Sequence, residues 1–172
     1  MTIRIGIVGA GGNTRFRHIP GFQEIEDVEV TAVCNRSYES GRKVADEFGI
    51  SSVFEDWKSL VSSPDIDAIC IGTWPYMHCD ITLASLEAGK HVLTEARMAM
   101  NLDEAKRMKA AAEATNLVTM IVPAPMYFES EPTLLRMLKA DVFGDLLEIQ
   151  VSVLGGDYDP DAPLTWREQR SL

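Results

Sequence analysis

Positive charge is what this chain has least of. Sixteen lysines and arginines stand against 26 aspartates and glutamates, a formal net charge of -10. Without surplus cations to displace counterions, there is no surface for a phosphate backbone or an anionic membrane, and both are excluded as partners. A local basic pocket for one small phosphate remains compatible with that balance. Long apolar runs are missing too. None approaches the ~18 residues of a membrane helix, and no signal peptide is visible ahead of the first strand-like pattern. Cysteine is sparse and odd in number: Cys34, Cys70 and Cys79 lie in apolar surroundings. They read as buried thiols of a reducing, cytoplasmic compartment rather than as a disulfide framework. No Cys–His pair has metal-ligand spacing, and His18, His78 and His91 stand well apart, so no metal is expected.

What is present is a soluble globular composition, 46% apolar and 24% charged over 172 residues. That length holds one domain of ordinary size and a remainder. Short β-rich runs occur at residues 2–8 (TIRIGIV), 28–34 (VEVTAVC), 66–71 (IDAICI), 91–94 and 118–122. Helical spacing occupies several of the intervals. Ser37 is placed to cap a helix carrying Val44, Ala45 and Phe48 inward, with Gly49 just past its end. Residues 76–88 form a second helical segment closed by Gly89, and Asn101 with Glu104 resembles a capping box ahead of a Leu102–Ala105–Met108–Ala112 stripe. Strands alternating with such helices predict an α/β fold, a doubly wound parallel sheet of Rossmann type.

The pattern changes near residue 123. Pro123 and Pro125 break regular structure, a short helix fits 132–139, and residues 146–154 (LLEIQVSVL) read as a long strand. The expected division is a dinucleotide-binding domain over 1–123 and, over 124–172, the incomplete start of an α+β domain that cannot close a core alone. Asp157, Asp159 and Asp161 alternate near the end. The interposed Pro160 and the missing loop glycine favour a solvated acidic loop over a calcium site.

The strongest local feature is Gly9-Ala10-Gly11-Gly12-Asn13-Thr14, directly after the first strand and ahead of a helix. Gly9 permits the tight turn, Gly11 lets the backbone approach a pyrophosphate, and the helix N-terminus offers free N–H groups. The alternative is a purely structural turn. Thr14 holds the third small position of GxGxxG, polar and β-branched where glycine packs more closely. At the end of the second strand, an Asp or Glu would select a free ribose 2′-hydroxyl. The chain has Cys34-Asn35-Arg36-Ser37 instead. Arg36 can pair with a 2′-phosphate, with Asn35 or Ser37 adding hydrogen bonds, which favours NADP(H) over NAD(H). The plainer alternative leaves Arg36 as a solvated residue beside a helix cap.

In GIVGAGGNTRFRHIPGF, DIDAICIGTWPYMH and ASLEAGKHVLTEARMA the chain resembles the Gfo/Idh/MocA oxidoreductases, the glucose–fructose oxidoreductase and inositol dehydrogenase family. The resemblance covers essentially the whole sequence. It implies an N-terminal dinucleotide-binding domain and a C-terminal α+β domain for substrate binding and homo-oligomer formation. It also implies hydride transfer to or from sugars, inositols or other polyhydroxylated compounds. By similarity, Gly9 through Thr14 lie along the pyrophosphate and Asn35 and Arg36 meet the adenosine ribose. Thr73, Trp74 and His78 border the later part of the cleft, and Glu95 matches the glutamate of the family's Glu-Lys-Pro motif. His78 has an equal alternative, satisfying backbone groups near a helix end.

Several residues depart from the family pattern. The tripeptide is Glu95-Ala96-Arg97, so the lysine that sits near the nicotinamide ribose and substrate is replaced by a residue with neither charge nor donor. Arg97 compensates only if a loop re-aims it. Trp74 stands where proline is usual, either stacking beside a ring or serving a core or lid role. Met126-Tyr127-Phe128 lacks the arginine common at that point.

No catalytic residue is assigned. The leading expectation is an NADP(H)- or NAD(H)-dependent oxidoreductase. Behind it stand a cofactor-binding relative without dehydrogenase activity and a nicotinamide-assisted lyase or glycoside-cleaving enzyme. Because family members' catalytic helix generally follows a segment resembling 163–167 (PLTWR), the chain is expected to be a fragment rather than a naturally reduced protein.

Overall fold

The computed structural model describes residues 2–122, 130–152 and 161. The chain divides into two compact units, Met1–Pro125 and Met126–Leu172. In the first, six strands form one parallel sheet in the order β3-β2-β1-β4-β5-β6. They are β1 (Ile3–Val8), β2 (Val28–Cys34), β3 (Ser52–Phe54), β4 (Ala68–Ile71), β5 (His91–Thr94) and β6 (Thr119–Ile121). Strand order reverses at β1, with β2 on one side and β4 on the other, which opens a crevice at their carboxyl ends.

Alternation along the central strands sends side chains to two apolar layers. Ile5, Ile7, Val33 and Cys70 pack with Ile19, Val44 and Ala45 of α1 (Ile19–Gln23) and α2 (Tyr38–Phe48). Val8, Cys34, Ile69 and Ile71 pack with Leu60 of α3 (Trp57–Ser62) and Ile81 and Leu86 of α4 (His78–Glu87). Ala111 and Ala112 of α5 (Leu102–Glu113) close over the same layer.

Local chemistry sets the helix ends. Ser37 Oγ accepts the Ser40 N–H at 3.3 Å, and Gly49 ends α2 in the left-handed region at φ 70°. Asn101 Oδ1 accepts the Glu104 N–H at 2.9 Å, while Glu104 reaches back to the Met100 N–H at 3.0 Å, a reciprocal cap displaced by one residue from the usual pairing. Residues 75–77 form a 3-10 turn that leads into α4, so the helical segment expected from residue 76 begins as a tighter coil. His91 Nδ1 accepts the Val118 N–H at 2.9 Å and anchors the start of the β5–β6 pairing, a structural role.

In the second unit, α6 (Glu131–Lys139) begins one residue ahead of the expected helix. The strand expected over residues 146–154 is a correction: residues 146–152 have no regular structure, and Leu147 is 94% exposed. A β-run needs a neighbour for its N–H and C=O groups, and none of the described residues pairs with this segment. Residues 153 and 154 lie outside the described residues, as do Pro123, Pro125, Met126, Tyr127, Phe128, Asp157, Asp159, Pro160 and the 163–167 segment.

Candidate cofactor site

The carboxyl ends of β1, β2, β4 and β5 converge around the glycine turn. Gly9 has φ +88°, a conformation that L side chains rarely adopt, and a Cβ there would meet the Thr73 backbone nitrogen at 2.7 Å. The loop after β4 approaches just as closely from the other side. A Cβ on Gly72 would lie 2.4 Å from Gly9 O and 2.1 Å from Thr14 Oγ1. These contacts explain why both positions are glycine. Gly11 and Gly12 differ: a Cβ on Gly11 would come no nearer than 3.9 Å to any neighbour, and one on Gly12 would meet nothing within 4 Å. Their missing side chains leave open space over the backbone, as a cradle for a pyrophosphate requires.

Thr14 is buried, and its hydroxyl donates to Gly9 O at 3.2 Å, so the residue closes the turn internally. Asn35 Oδ1 accepts the Ala10 N–H at 2.7 Å and ties the end of β2 to the same turn. Arg36 and Ser37 are exposed, and Arg36 has no hydrogen bond or ion pair among the described residues. No carboxylate stands at residues 34–37.

Glu95, just past β5, gathers the other side. Its Oε1 lies 2.6 Å from His18 Nε2 and also accepts from the Asn13 amide, while Oε2 accepts the Ala96 N–H at 3.2 Å. His18 and Glu95 side chains are mostly buried. This cluster was not legible in the sequence, where His18 stands apart from the other histidines without a motif. The contact spans 77 residues, and the segment that presents His18 is a π-helical turn, Thr14–His18, with no local signature.

His78 has no ring nitrogen left to offer a nucleotide. It is fully buried, with Nδ1 at 2.9 Å from Arg97 O and Nε2 at 3.0 Å from Thr73 O. The ring latches the loop after β4 to the loop after β5, the second of the two roles open to it from sequence. Trp74 is half-buried and sits edge-on to Tyr76, centroids 5.9 Å apart at 68°. Arg97 is exposed. Thr73 Oγ1 and Thr94 Oγ1, at the ends of β4 and β5, are buried and lack any partner.

Thiol chemistry has no place here. Burial pushes Cys34 up to about 11 and Cys70 up to about 12, so both stay protonated and non-nucleophilic at neutral pH. Among the described residues no group of three His, Cys, Asp or Glu side chains is placed to hold a metal ion, and no helix is long and apolar enough to cross a membrane.

A parallel sheet in this order, with an open glycine turn at the switch point, defines a dinucleotide-binding Rossmann domain. The chain belongs to the Gfo/Idh/MocA oxidoreductase family with NAD-binding Rossmann fold, whose model matches residues 3–122. It is similar to levoglucosan dehydrogenase of Pseudarthrobacter phenanthrenivorans, 30% identical over 78% of this chain and 35% of that protein. It is also similar to glycosyl hydrolase family 109 protein 1 of Bacteroides thetaiotaomicron, 30% identical over 87% of this chain and 34% of that protein. Among solved structures it resembles a lysine-to-alanine mutant of KijD10, a 3-ketoreductase from Actinomadura kijaniata, in complex with TDP-benzene and NADP. The TM-score there is 0.74 at 27% identity, covering 84% of this chain and 46% of that one. The chain thus spans about one third of the length of the curated relatives it matches.

Proposed function

We propose that residues 1–123 are the nucleotide-binding domain of an oxidoreductase that uses NADP(H), with NAD(H) the alternative. The reaction moves a hydride between the nicotinamide and a sugar-, inositol- or polyol-like compound. The observation that carries this reading is the pairing of an open cradle at Gly11–Gly12 with an unpaired Arg36, and no carboxylate, at the end of β2. Gly11, Gly12 and Asn13 present backbone to the pyrophosphate. Arg36 meets the 2′-phosphate, with Asn35 or Ser37 adding hydrogen bonds. Thr73 and Trp74 border the nicotinamide end. When bound, the nicotinamide supplies the redox chemistry while the protein supplies orientation and electrostatics.

In this reading residues 124–172 open an α+β domain that binds the substrate and forms a homo-oligomer. A proton must also move at the substrate oxygen, and Ala96 has no group for it, so that residue belongs to the second domain. Three buried free thiols suit a reducing cytoplasm.

Two other readings each have one observation behind them. The similarity to a family 109 glycosyl hydrolase favours nicotinamide-assisted glycoside or lyase cleavage. Ala96 in the lysine position favours a cofactor-binding protein without dehydrogenase activity.

Titration with NADPH and NADH, then an absorbance assay against aldoses, inositols and glycosides, tests the three together. Turnover with cofactor consumption supports hydride transfer. Glycoside cleavage without net consumption moves the assignment to the second reading, and binding without turnover moves it to the third. Absence of nucleotide binding rejects all three.

A further inference from the structure

The helix after the glycine turn opens on an α-type bond, Arg15 N–H to Gly11 O at 3.0 Å, and then widens. Ile19 N–H bonds to Thr14 O, five residues back, and residues Thr14–His18 form a π-turn. The width has a geometric consequence. In an α-helix, positions five apart point roughly 140° away from each other. In a turn closed by i→i+5 bonds, the fifth residue stands nearly above the first. Asn13 and His18 are five apart, and both reach the same oxygen, Oε1 of Glu95. One carboxylate at the end of β5 therefore holds the residue just before the π-turn and the last residue of it.

We propose that Glu95 acts as a positioning residue for the nucleotide. Through Asn13 and His18 it sets the pitch of the π-turn, and with it the direction in which the Gly11, Gly12 and Asn13 N–H groups point. This rests on the nucleotide-binding reading above and deepens it: the family's glutamate position works through the backbone cradle, with His18 as its second anchor. Several features favour this over an incidental surface pair. Both side chains are largely buried, the contact joins segments 77 residues apart, and the Asn13 it grips lies within the candidate pyrophosphate turn. A partly buried charged hydrogen bond is also worth more than an exposed one.

The test uses two ligands that differ in reach. NADPH spans the pyrophosphate turn, whereas adenosine 2′-monophosphate carries no 5′-phosphate and occupies only the adenosine end (NADH and adenosine serve if the wild type prefers NADH). Fluorescence and calorimetric titrations are run on the wild type and on Glu95→Ala, His18→Leu and His18→Gln, the last keeping a donor toward Glu95. The expected result is a loss of about tenfold or more in NADPH affinity for Glu95→Ala, and several-fold for His18→Leu. His18→Gln recovers most of that loss. Binding of adenosine 2′-monophosphate stays within about twofold throughout, which also shows that each variant is folded. Unchanged NADPH affinity in Glu95→Ala overturns the proposal. So does equal weakening of both ligands, the mark of a merely structural contact. A His18→Gln variant as weak as His18→Leu removes His18 from the device. Wild-type protein that binds neither ligand rejects the nucleotide reading itself, and the inference falls with it.

Discussion

Asn35 Oδ1 receives the Ala10 N–H at 2.7 Å, so the residue after β2 holds the middle of the glycine turn. The bond joins the segment that would read the ribose to the segment that would hold the pyrophosphate. Asn35→Leu removes the acceptor and leaves a buried N–H unmet, at a cost of about 1–2 kcal/mol. Asn35→Asp keeps the acceptor and is expected to retain most of the stability. Urea denaturation of the two variants makes the comparison.

The four turn glycines fall into two pairs with opposite expectations, and one from each pair serves as a test. Gly72→Ala places a methyl against Gly9 O and Thr14 Oγ1, one of them backbone, and should cost about 3 kcal/mol or abolish folding. Gly12→Ala meets nothing in the protein. It should leave the unfolding midpoint nearly unchanged and weaken nucleotide binding about tenfold, because only a ligand fills that space. Melting and titration on the same samples separate the two effects.

His78 latches two loops through backbone carbonyls. His78→Leu keeps the volume approximately and strands whichever of the Thr73 and Arg97 oxygens the ring N–H serves, a loss of about 1–3 kcal/mol in global stability. His78→Asn, which keeps an N–H donor, is expected to lose less. Chemical denaturation measures both.

At the opposite end of β1, Asp67 accepts two hydrogen bonds from the Arg4 side chain, at 3.0 and 2.9 Å, and one from its backbone N–H at 2.8 Å. These bonds hold the Asp67 carboxyl down to about 2, against the ordinary ~3.9. The folded value lies below the unfolded one, so the stabilisation is complete above about pH 4 and is lost as pH falls toward 2. Asp67→Asn should lower the melting temperature at pH 7, and the gap from wild type should narrow steadily between pH 4 and pH 2. A gap independent of pH would remove the ion pair as its source.

Those features that rest on local rules could be read from the sequence. Ser37 and Gly49 bound α2, Asn101 and Glu104 start α5, and the Gly9–Gly11 spacing after an apolar run marks the first turn. Each is a matter of a few neighbouring residues. Others depend on contacts that spacing does not encode. Strand β3 has only three residues, too few for a visible alternation, and exists because β2 supplies its partner. Helix α3 starts at the Asp56 side chain, which accepts the Ser59 N–H at 2.9 Å, but it is a six-residue helix with too short a stripe to stand out. The role of His78 was open between two readings until its buried ring was seen to face two carbonyls. His18 carried no signal at all. Its meeting with Glu95 needs both the sheet order and a π-turn, and neither is written in a window of residues.

The central claim is that the end of β2 reads a 2′-phosphate through Arg36. Fluorescence titration of wild type and Arg36→Gln with NADPH and NADH tests it most directly. Wild type should bind NADPH at least about tenfold more tightly than NADH, a difference of ~1.4 kcal/mol. Arg36→Gln should lose that preference while its NADH affinity stays within about twofold. Equal affinity of the wild type for both nucleotides, or an unchanged preference in the variant, would contradict the account.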